Sequence, residues 1–266
     1  MLATANIGTL FGILPGYWIQ HNTHHTKLGA LGVLDARERS RDGRPTDGDI
    51  GLSRLILHSA PSRKYSLALG GDHTMTYPIL RAMAKKHGPV ALIHVDAHAD
   101  INDDMFGEKI AHGTPFRRAL EDGCLQADKV FQIGLRGTGY SPEDFNWSRK
   151  QGFTVVPAED CWYKSLVPLM TEVREKIGDH PVYLSYDIDS LDPAFAPGTG
   201  TVEIGGLTIW QAPEIIRGCQ GLNVVGGDLV EVSPPYDPSG NTALVGANLL
   251  YEMLCILPGV RYSADD

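Results

Sequence analysis

From residue 64 onward the chain alternates between two patterns of apolar and polar positions. Short apolar, β-type runs occur at 65–69, 90–95, 130–135, 154–156, 182–186 and 223–232. Between them lie segments with apolar residues at helical spacing, at 77–86, 116–121, 166–177, 209–217 and 242–257. Thr114 followed by Pro115 reads as an N-cap with proline at the first helical position. Alternation of this kind predicts an α/β domain in which a mainly parallel sheet is covered by helices on both faces, three layers deep.

Residues 1–63 lack that alternation. The stretch 36–48 carries four arginines, two aspartates, a glutamate and two glycines, and reads as an exposed loop or disorder. The expected organisation is therefore an atypical segment over 1–63 followed by one domain over 64–262. His21, His24 and His25 fall in the first segment. No carboxylate or cysteine is placed beside them to complete a metal site, so a polar surface segment is the better reading.

Composition narrows the function classes. A chain of 266 residues suits one sizeable core rather than two full domains. Its net charge of −9 argues against nucleic acid or an anionic membrane surface as the main partner. No apolar stretch approaches the ~18–20 residues of a membrane span. Cys124, Cys161, Cys219 and Cys255 are scattered without Cys-x-x-Cys spacing, which points to reduced, mostly buried thiols. Residues 1–32 hold one lysine, Lys27, and no arginine, which does not read as a transit peptide.

The candidate chemistry lies at the ends of three predicted strands. Asp96-Ala97-His98-Ala99-Asp100 follows the run at 90–95, and Asp187-Ile188-Asp189 follows the run at 182–186. Alternate side chains of an extended backbone share a side, so Asp96, His98 and Asp100 can converge, as can Asp187 and Asp189. Four carboxylates gathered together repel one another unless a cation sits among them. So many oxygen donors favour two divalent ions over one closed zinc site. The run at 65–69 enters Gly70-Gly71-Asp72-His73 and delivers a further imidazole at its carboxyl end, where open parallel sheets place their sites.

Gly70-Gly71-Asp72-His73, Asp96-Ala97-His98-Ala99-Asp100 and the stretch 185–201, which opens Ser-Tyr-Asp-Ile-Asp-Ser-Leu-Asp-Pro, resemble the three signatures of the ureohydrolases: arginases, agmatinases and guanidino-acid hydrolases. The resemblance runs from about Ser66 to Val260, and the stretch 214–258 is most similar to the animal, mitochondrial agmatinase branch. It implies an arginase-like fold and two metal ions per subunit, for which one imidazole and several oxygens at each ion suit Mn2+ better than zinc or copper, with nickel and cobalt as alternatives. One ion would be held by His73, Asp96, Asp100 and Asp187, the other by Asp96, His98, Asp187 and Asp189, with Asp96 and Asp187 bridging. Glu231 resembles the glutamate that pairs with the substrate guanidinium. His112, in Ala-His-Gly-Thr-Pro-Phe, matches the family's proton-shuttle histidine. The resemblance further implies a homo-oligomer, trimer or hexamer, and a mitochondrial location, with the cytoplasm as the alternative.

A guanidinium, with its pKa near ~13, needs a strong nucleophile at neutral pH, and metal coordination supplies one by lowering the pKa of water towards ~7. Asp72 and Asp192 are expected to orient ligands, and Gly198, Gly200, Gly205 and Gly206 to supply positive-φ turns. Agmatinase is the leading reading. A guanidino-acid hydrolase with the same centre is the first alternative, and a truncated, non-catalytic paralogue the second. The tail-binding loop is expected to follow the run at 130–135, where Glu143 and Asp144 would favour an amine and Arg136 could serve a carboxylate or a structural ion pair. Asn102 has an arginase-like context, but the Asp-Val-Asp-Pro stretch of arginases is absent. Family members open with a strand, a Gly-Val-Pro-x-Asp turn and an Arg-Pro-Gly-Ala-Arg-x-Gly-Pro segment. None of these is found here, so the N-terminal part is expected to be atypical or truncated.

Overall fold

The computed structural model describes residues 32–33, 65–137 and 144–260. Apart from residues 32–33, the expectations for 1–63 lie outside the described residues, including the loop at 36–48 and the three histidines. So do Glu143 and the side chain of Asp144.

Seven parallel strands form one sheet. They are β1 (Gly32–Val33), β2 (Ser66–Leu69), β3 (Val90–Val95), β4 (Leu125–Leu135), β5 (Thr154–Pro157), β6 (Val182–Asp187) and β7 (Val224–Val230), in the order β1-β2-β7-β6-β3-β4-β5. Six α-helices follow the described strands: α1 (Thr76–His87), α2 (Pro115–Glu121), α3 (Asp144–Lys150), α4 (Val167–Ile177), α5 (Gln211–Gly218) and α6 (Asn241–Cys255). The central strands β3, β6 and β7 are buried at every position, as a doubly covered parallel sheet requires. On one face Ala91, Ile93 and Val95 of β3 join a core with Met170 of α4, Ile215 of α5 and Leu249 of α6. On the other, Leu92 packs with Ile79 and Leu80 of α1 and Phe116 of α2. The expected α/β three-layer arrangement is what forms.

Some boundaries differ from expectation, each for a physical reason. β4 begins five residues before 130, because the polar Gln126, Asp128 and Lys129 occupy the half-buried start of an otherwise apolar strand. β7 ends at Val230 rather than 232, because Glu231 turns into the left-handed region at φ 64°. Helix α3 was not anticipated, although Ser141-Pro142-Glu143-Asp144 carries helix-start chemistry in the sequence. Thr114 precedes α2 but makes no capping bond. Its Oγ1 instead accepts from the Ala111 amide and donates to the Ala111 carbonyl, both at 3.0 Å, and so closes the turn that carries His112.

Candidate active site

Four neighbouring strands, β2, β7, β6 and β3, deliver their carboxyl ends to one place. Two aspartates shape the approach by the same device. Asp96 Oδ1 accepts the amide of His98 at 2.6 Å, and Asp187 Oδ1 accepts the amide of Asp189 at 2.8 Å. This side-chain-to-backbone turn over two residues is what the Asp-x-His and Asp-x-Asp spacings encode. It bends each strand end so that both side chains of the pair face the same volume.

His73 enters from the turn after β2. Glycine at position 70 leaves room for the buried side chain of Met75, which a Cβ there would displace. Asp72 caps the turn by accepting the Thr74 amide at 2.9 Å, so it orients His73 through the backbone. The ring of His73 is fully buried, with Asp100 Oδ2 at 3.0 Å from Nδ1 and Asp96 Oδ2 and Asp187 Oδ2 each at 3.2 Å. His98 Nδ1 lies 3.1 Å from Asp189 Oδ2 and 3.5 Å from Asp96 Oδ1. The two oxygens of Asp96 thus face two different imidazoles, as a bridging carboxylate must.

Hydrogen-bond accounting fixes which nitrogen of His73 is free to bind a cation. Ser185 Oγ spends its one proton on Asp228 Oδ1 at 2.7 Å, and His73 Nε2 lies 2.9 Å from the same Oγ. Ser185 can only accept there, so Nε2 carries the proton and Nδ1 turns its lone pair to the carboxylates. Among the described residues, Nδ1 is a buried nitrogen without a hydrogen-bond partner. Asp228, fully buried, also accepts from Thr76 Oγ1 and Tyr183 OH, each at 2.8 Å, and so holds Ser185 in place.

The electrostatics carry the same demand for positive charge. Burial alone would lower the His73 imidazole, but the carboxylates of Asp100, Asp187 and Asp96 gathered at Nδ1 favour a positive charge there and raise it well above the ordinary value. Burial likewise opposes protonation of His98, yet Asp189 and Asp96 push it up to about 12. Burial and the neighbouring carboxylates raise Asp187 and Asp189. Divalent ions would satisfy the cluster as protons do. Three carboxylate oxygens lie within 3.0–3.2 Å of His73 Nδ1, a donor set of one imidazole and several hard oxygens. The described residues therefore fit a hard, oxygen-preferring metal.

Distance alone groups His94 with His73, Asp96 and Asp100, and Asp96 with His98 and Asp189. His94 Nε2, however, is already bonded to Asp96 Oδ2 at 2.7 Å, so the fourth donor at His73 is better taken as Asp187. Asp187 falls outside both groups. Its Oδ2 faces His73 and its Oδ1 accepts the Asp189 amide, as Asp96 Oδ1 accepts that of His98, but only Asp96 has an imidazole facing each of its oxygens.

Glu231 follows β7 with its amide bonded to Gly71 O at 2.8 Å and its Oε1 accepting the His73 amide at 2.7 Å. Burial pushes its carboxyl up to about 8. Glu231 and Asp100 are both non-glycine residues at positive φ, 64° and 51°, the kind of backbone strain that concentrates at functional sites. Glu231, His112, Asp100, Asp187 and Asp189 line one cavity of about 280 Å³. Its wall continues through Asn102, Met105, Phe145 and Glu203.

Several expectations change here. Arg136 does not line the cavity among the described residues. The five N–H groups of its guanidinium face six backbone carbonyls, of Gly134, Asp189, Ser190, Leu191, Glu203 and Ile204, at 2.7–3.2 Å, the two hydrogens of Nη2 being shared among Asp189, Leu191 and Glu203. It therefore ties the 189–191 strand end to the 203–204 loop. Asp192 orients no ligand: its carboxylate accepts the amides of Ala194, Gly205 and Gly206, because its side chain turns back into its own loop. Of the four loop glycines only Gly205 has positive φ, at 76°. Gly206 is needed instead for close approach, since a Cβ would meet Asp192 N at 2.5 Å. Sequence reasoning missed Glu203, Ser185, Asp228, His94 and Gln132. His94 was legible by parity, because it lies two residues before Asp96 on the same strand face.

The arginase family model matches residues 52–255 of this chain. Guanidinobutyrase of Pseudomonas aeruginosa is 75% identical over 194 residues, covering 73% of this chain and 61% of the relative. The mitochondrial agmatinase of Gallus gallus is 67% identical over 195 residues, covering 73% and 57%. The mitochondrial guanidino acid hydrolase of Homo sapiens is 67% identical over 194 residues, covering 73% and 55%. The matches thus span only 55–61% of the length of these relatives. Among solved structures, the proclavaminate amidino hydrolase of Streptomyces clavuligerus aligns with a TM-score of 0.71 at 39% identity, over 78% of this chain and 69% of that one.

Proposed function

The chain belongs to the arginase family, and from that premise we propose that it hydrolyses the guanidino group of a small linear guanidino compound to urea and an amine. The observation that carries this reading is the convergence of His73, Asp96, His98, Asp100, Asp187 and Asp189 in one cluster, of which His98, Asp100, Asp187 and Asp189 line the same cavity as Glu231 and His112. Two Mn2+ are the ions proposed, on the oxygen-rich donor set with one imidazole at each site. His73, Asp96, Asp100 and Asp187 would hold one, and Asp96, His98, Asp187 and Asp189 the other. When bound, the pair supplies a water ionised at neutral pH.

The remaining work falls to the side chains. Glu231 offers its carboxylate to two N–H groups of the planar guanidinium and holds the carbon at a fixed place in the cavity. The substrate's positive charge favours the ionised carboxylate, against the burial that raises it. Water oxygen becomes bonded to the guanidino carbon and the bond to the tail nitrogen breaks. His112 gives that nitrogen a proton, so that it leaves as an amine.

For the tail we take a carboxylate, as in 4-guanidinobutyrate. This reading is supported by the names of the relatives at 75% and, from Homo sapiens, 67% identity. Agmatine is the second reading. It is supported by the Gallus gallus relative's name, by Glu203 on the cavity wall, and by the lack of lysine or arginine among the described residues lining it. Urea release from both compounds separates the two. A kcat/KM at least tenfold higher for 4-guanidinobutyrate is expected, equal to about 1.4 kcal/mol of transition-state preference. The reverse ratio would establish agmatine. A trimer or hexamer rests on the family resemblance. A mitochondrial location rests on the animal relatives' names, and the 75% identity to a bacterial protein weighs against carrying it across.

A further inference from the structure

Beneath the ligand row, a second polar row crosses the middle of the sheet. In the strand register Asp228 of β7 stands beside Ser185 of β6, Ser185 beside His94 of β3, and His94 beside Gln132 of β4. All four are fully buried, at 0% exposure, in strands that are otherwise mostly apolar. Burying so many polar side chains is costly unless each is bonded to something that matters. Ser185 and Asp228 orient His73. His94 and Gln132 are left to explain.

We infer that His94, set by Gln132, is the positioning residue for the bridging carboxylate of Asp96. The argument starts from the amide of Gln132. Its Nε2 lies 2.7 Å from the Ala99 carbonyl and 3.1 Å from His94 Nδ1. Turning the amide over would bring Oε1 against the Ala99 carbonyl, two acceptors face to face, so the NH2 group belongs there. One of its hydrogens goes to Ala99 and the other to His94, which makes Nδ1 an acceptor and places the ring hydrogen on Nε2. That hydrogen points at Asp96 Oδ2, 2.7 Å away.

Asp96 is thereby held at both oxygens. Oδ2 accepts from His94 Nε2, and Oδ1 accepts from the amide of His98. A carboxylate oxygen has two acceptor positions. One on each oxygen is used by these bonds, and one remains to face His73 on the Oδ2 side and His98 on the Oδ1 side. The chain Ala99 O, Gln132, His94, Asp96 therefore sets the rotation of the carboxylate about its own axis, the variable that decides whether it spans two ions or chelates one. Phe116, whose ring centroid is 4.0 Å from that of His94, keeps the imidazole from tilting.

This inference rests on the proposal that Asp96 bridges two ions, and the test separates the two. Metal-free protein is titrated with Mn2+ alone, following stepwise affinity by calorimetry and spin coupling between the ions by electron paramagnetic resonance. The parent should bind two coupled ions. His94→Leu should weaken at least one ion by ~10–100-fold, the usual loss when an outer-shell partner is removed, and should lose the coupled signal. His94→Gln, whose amide can again present N–H to Asp96, should recover most of both. Parental affinities and coupling in His94→Leu would overturn the inference. Equal losses in the Leu and Gln variants would also overturn it, by assigning the effect to packing. A parent that binds no second ion would refute the bridging proposal itself, and the inference with it. Should His94→Leu show no cooperative melt, Gln132→Leu carries the test. It leaves His94 in place but frees its ring, so weaker binding in the same direction is expected, and unchanged binding would overturn the inference.

Discussion

Replacing Arg136 by methionine keeps the length of the side chain and removes every donor it has. Six carbonyls lose a bond, but they are not equal. Those of Glu203 and Ile204 lie in partly exposed residues, where water can replace the guanidinium, and Ser190 O keeps the amide of Leu207 at 2.9 Å. Asp189 O, Leu191 O and Gly134 O belong to buried residues and had been bonded at 2.8, 3.2 and 3.2 Å. Bonds to a charged donor contribute ~1.5–3 kcal/mol each, and removing a half-buried guanidinium returns part of its desolvation cost. Two of the three share the hydrogens of Nη2 with Glu203 O, so about 3 kcal/mol for the three together is the expected loss. At ~2–4 °C per kcal/mol this lowers the melting temperature by ~6–12 °C. Thermal melts of metal-free protein measure that term. Michaelis constants for agmatine and 4-guanidinobutyrate measure the other, and their ratio should not move. If the melt were unchanged while KM for 4-guanidinobutyrate alone rose by about tenfold or more, Arg136 would be reading the substrate carboxylate and the structural assignment would be wrong.

Other consequences are more direct. Asp96→Asn should abolish urea release and remove at least one metal equivalent, because both of its oxygens face donor imidazoles; full metal occupancy with normal turnover would contradict the bridging role. His112→Asn should keep its metal and slow turnover by ~10²–10⁴-fold, with imidazole in the buffer restoring part of the rate; unchanged turnover would show that solvent carries the proton. Metal uptake by metal-free protein should acidify an unbuffered solution. His73, His98 and Asp187 are all raised above their ordinary values, so protons must leave as the ion enters. Apparent affinity should therefore rise with pH, and a flat profile would count against imidazole ligands.

Six of the seven described strands and five of the six described α-helices were legible, because those strands are short apolar runs and those helices carry apolar residues at helical spacing; β1 and α3 were not. The ligands were legible because the Asp-x-His and Asp-x-Asp spacings encode a local turn, and local chemistry survives in sequence. What sequence hid was set by pairing across strands. His94 shares a strand face with Asp96, but its partner Gln132 is 38 residues away, beside it only through the β3–β4 register, so the role of the pair could not be read locally. Arg136 is a basic residue next to the cavity wall, and no local pattern tells a substrate clamp from a carbonyl tie. That distinction needed the positions of loops 50 and more residues downstream. The end of β7 was misjudged because apolar residues flank Glu231, while its left-handed backbone is imposed by the bond to Gly71 on the neighbouring strand's turn.

If two metal ions held by His73, Asp96, His98, Asp100, Asp187 and Asp189 make this chain a hydrolase of guanidino compounds, urea release must follow metal loading. The decisive measurement counts manganese per chain while following urea release as metal-free protein is reloaded. The prediction is that urea release from 4-guanidinobutyrate or agmatine rises with loading and levels off at two equivalents. Saturation at one equivalent, or two bound equivalents with no urea from either compound, would contradict it.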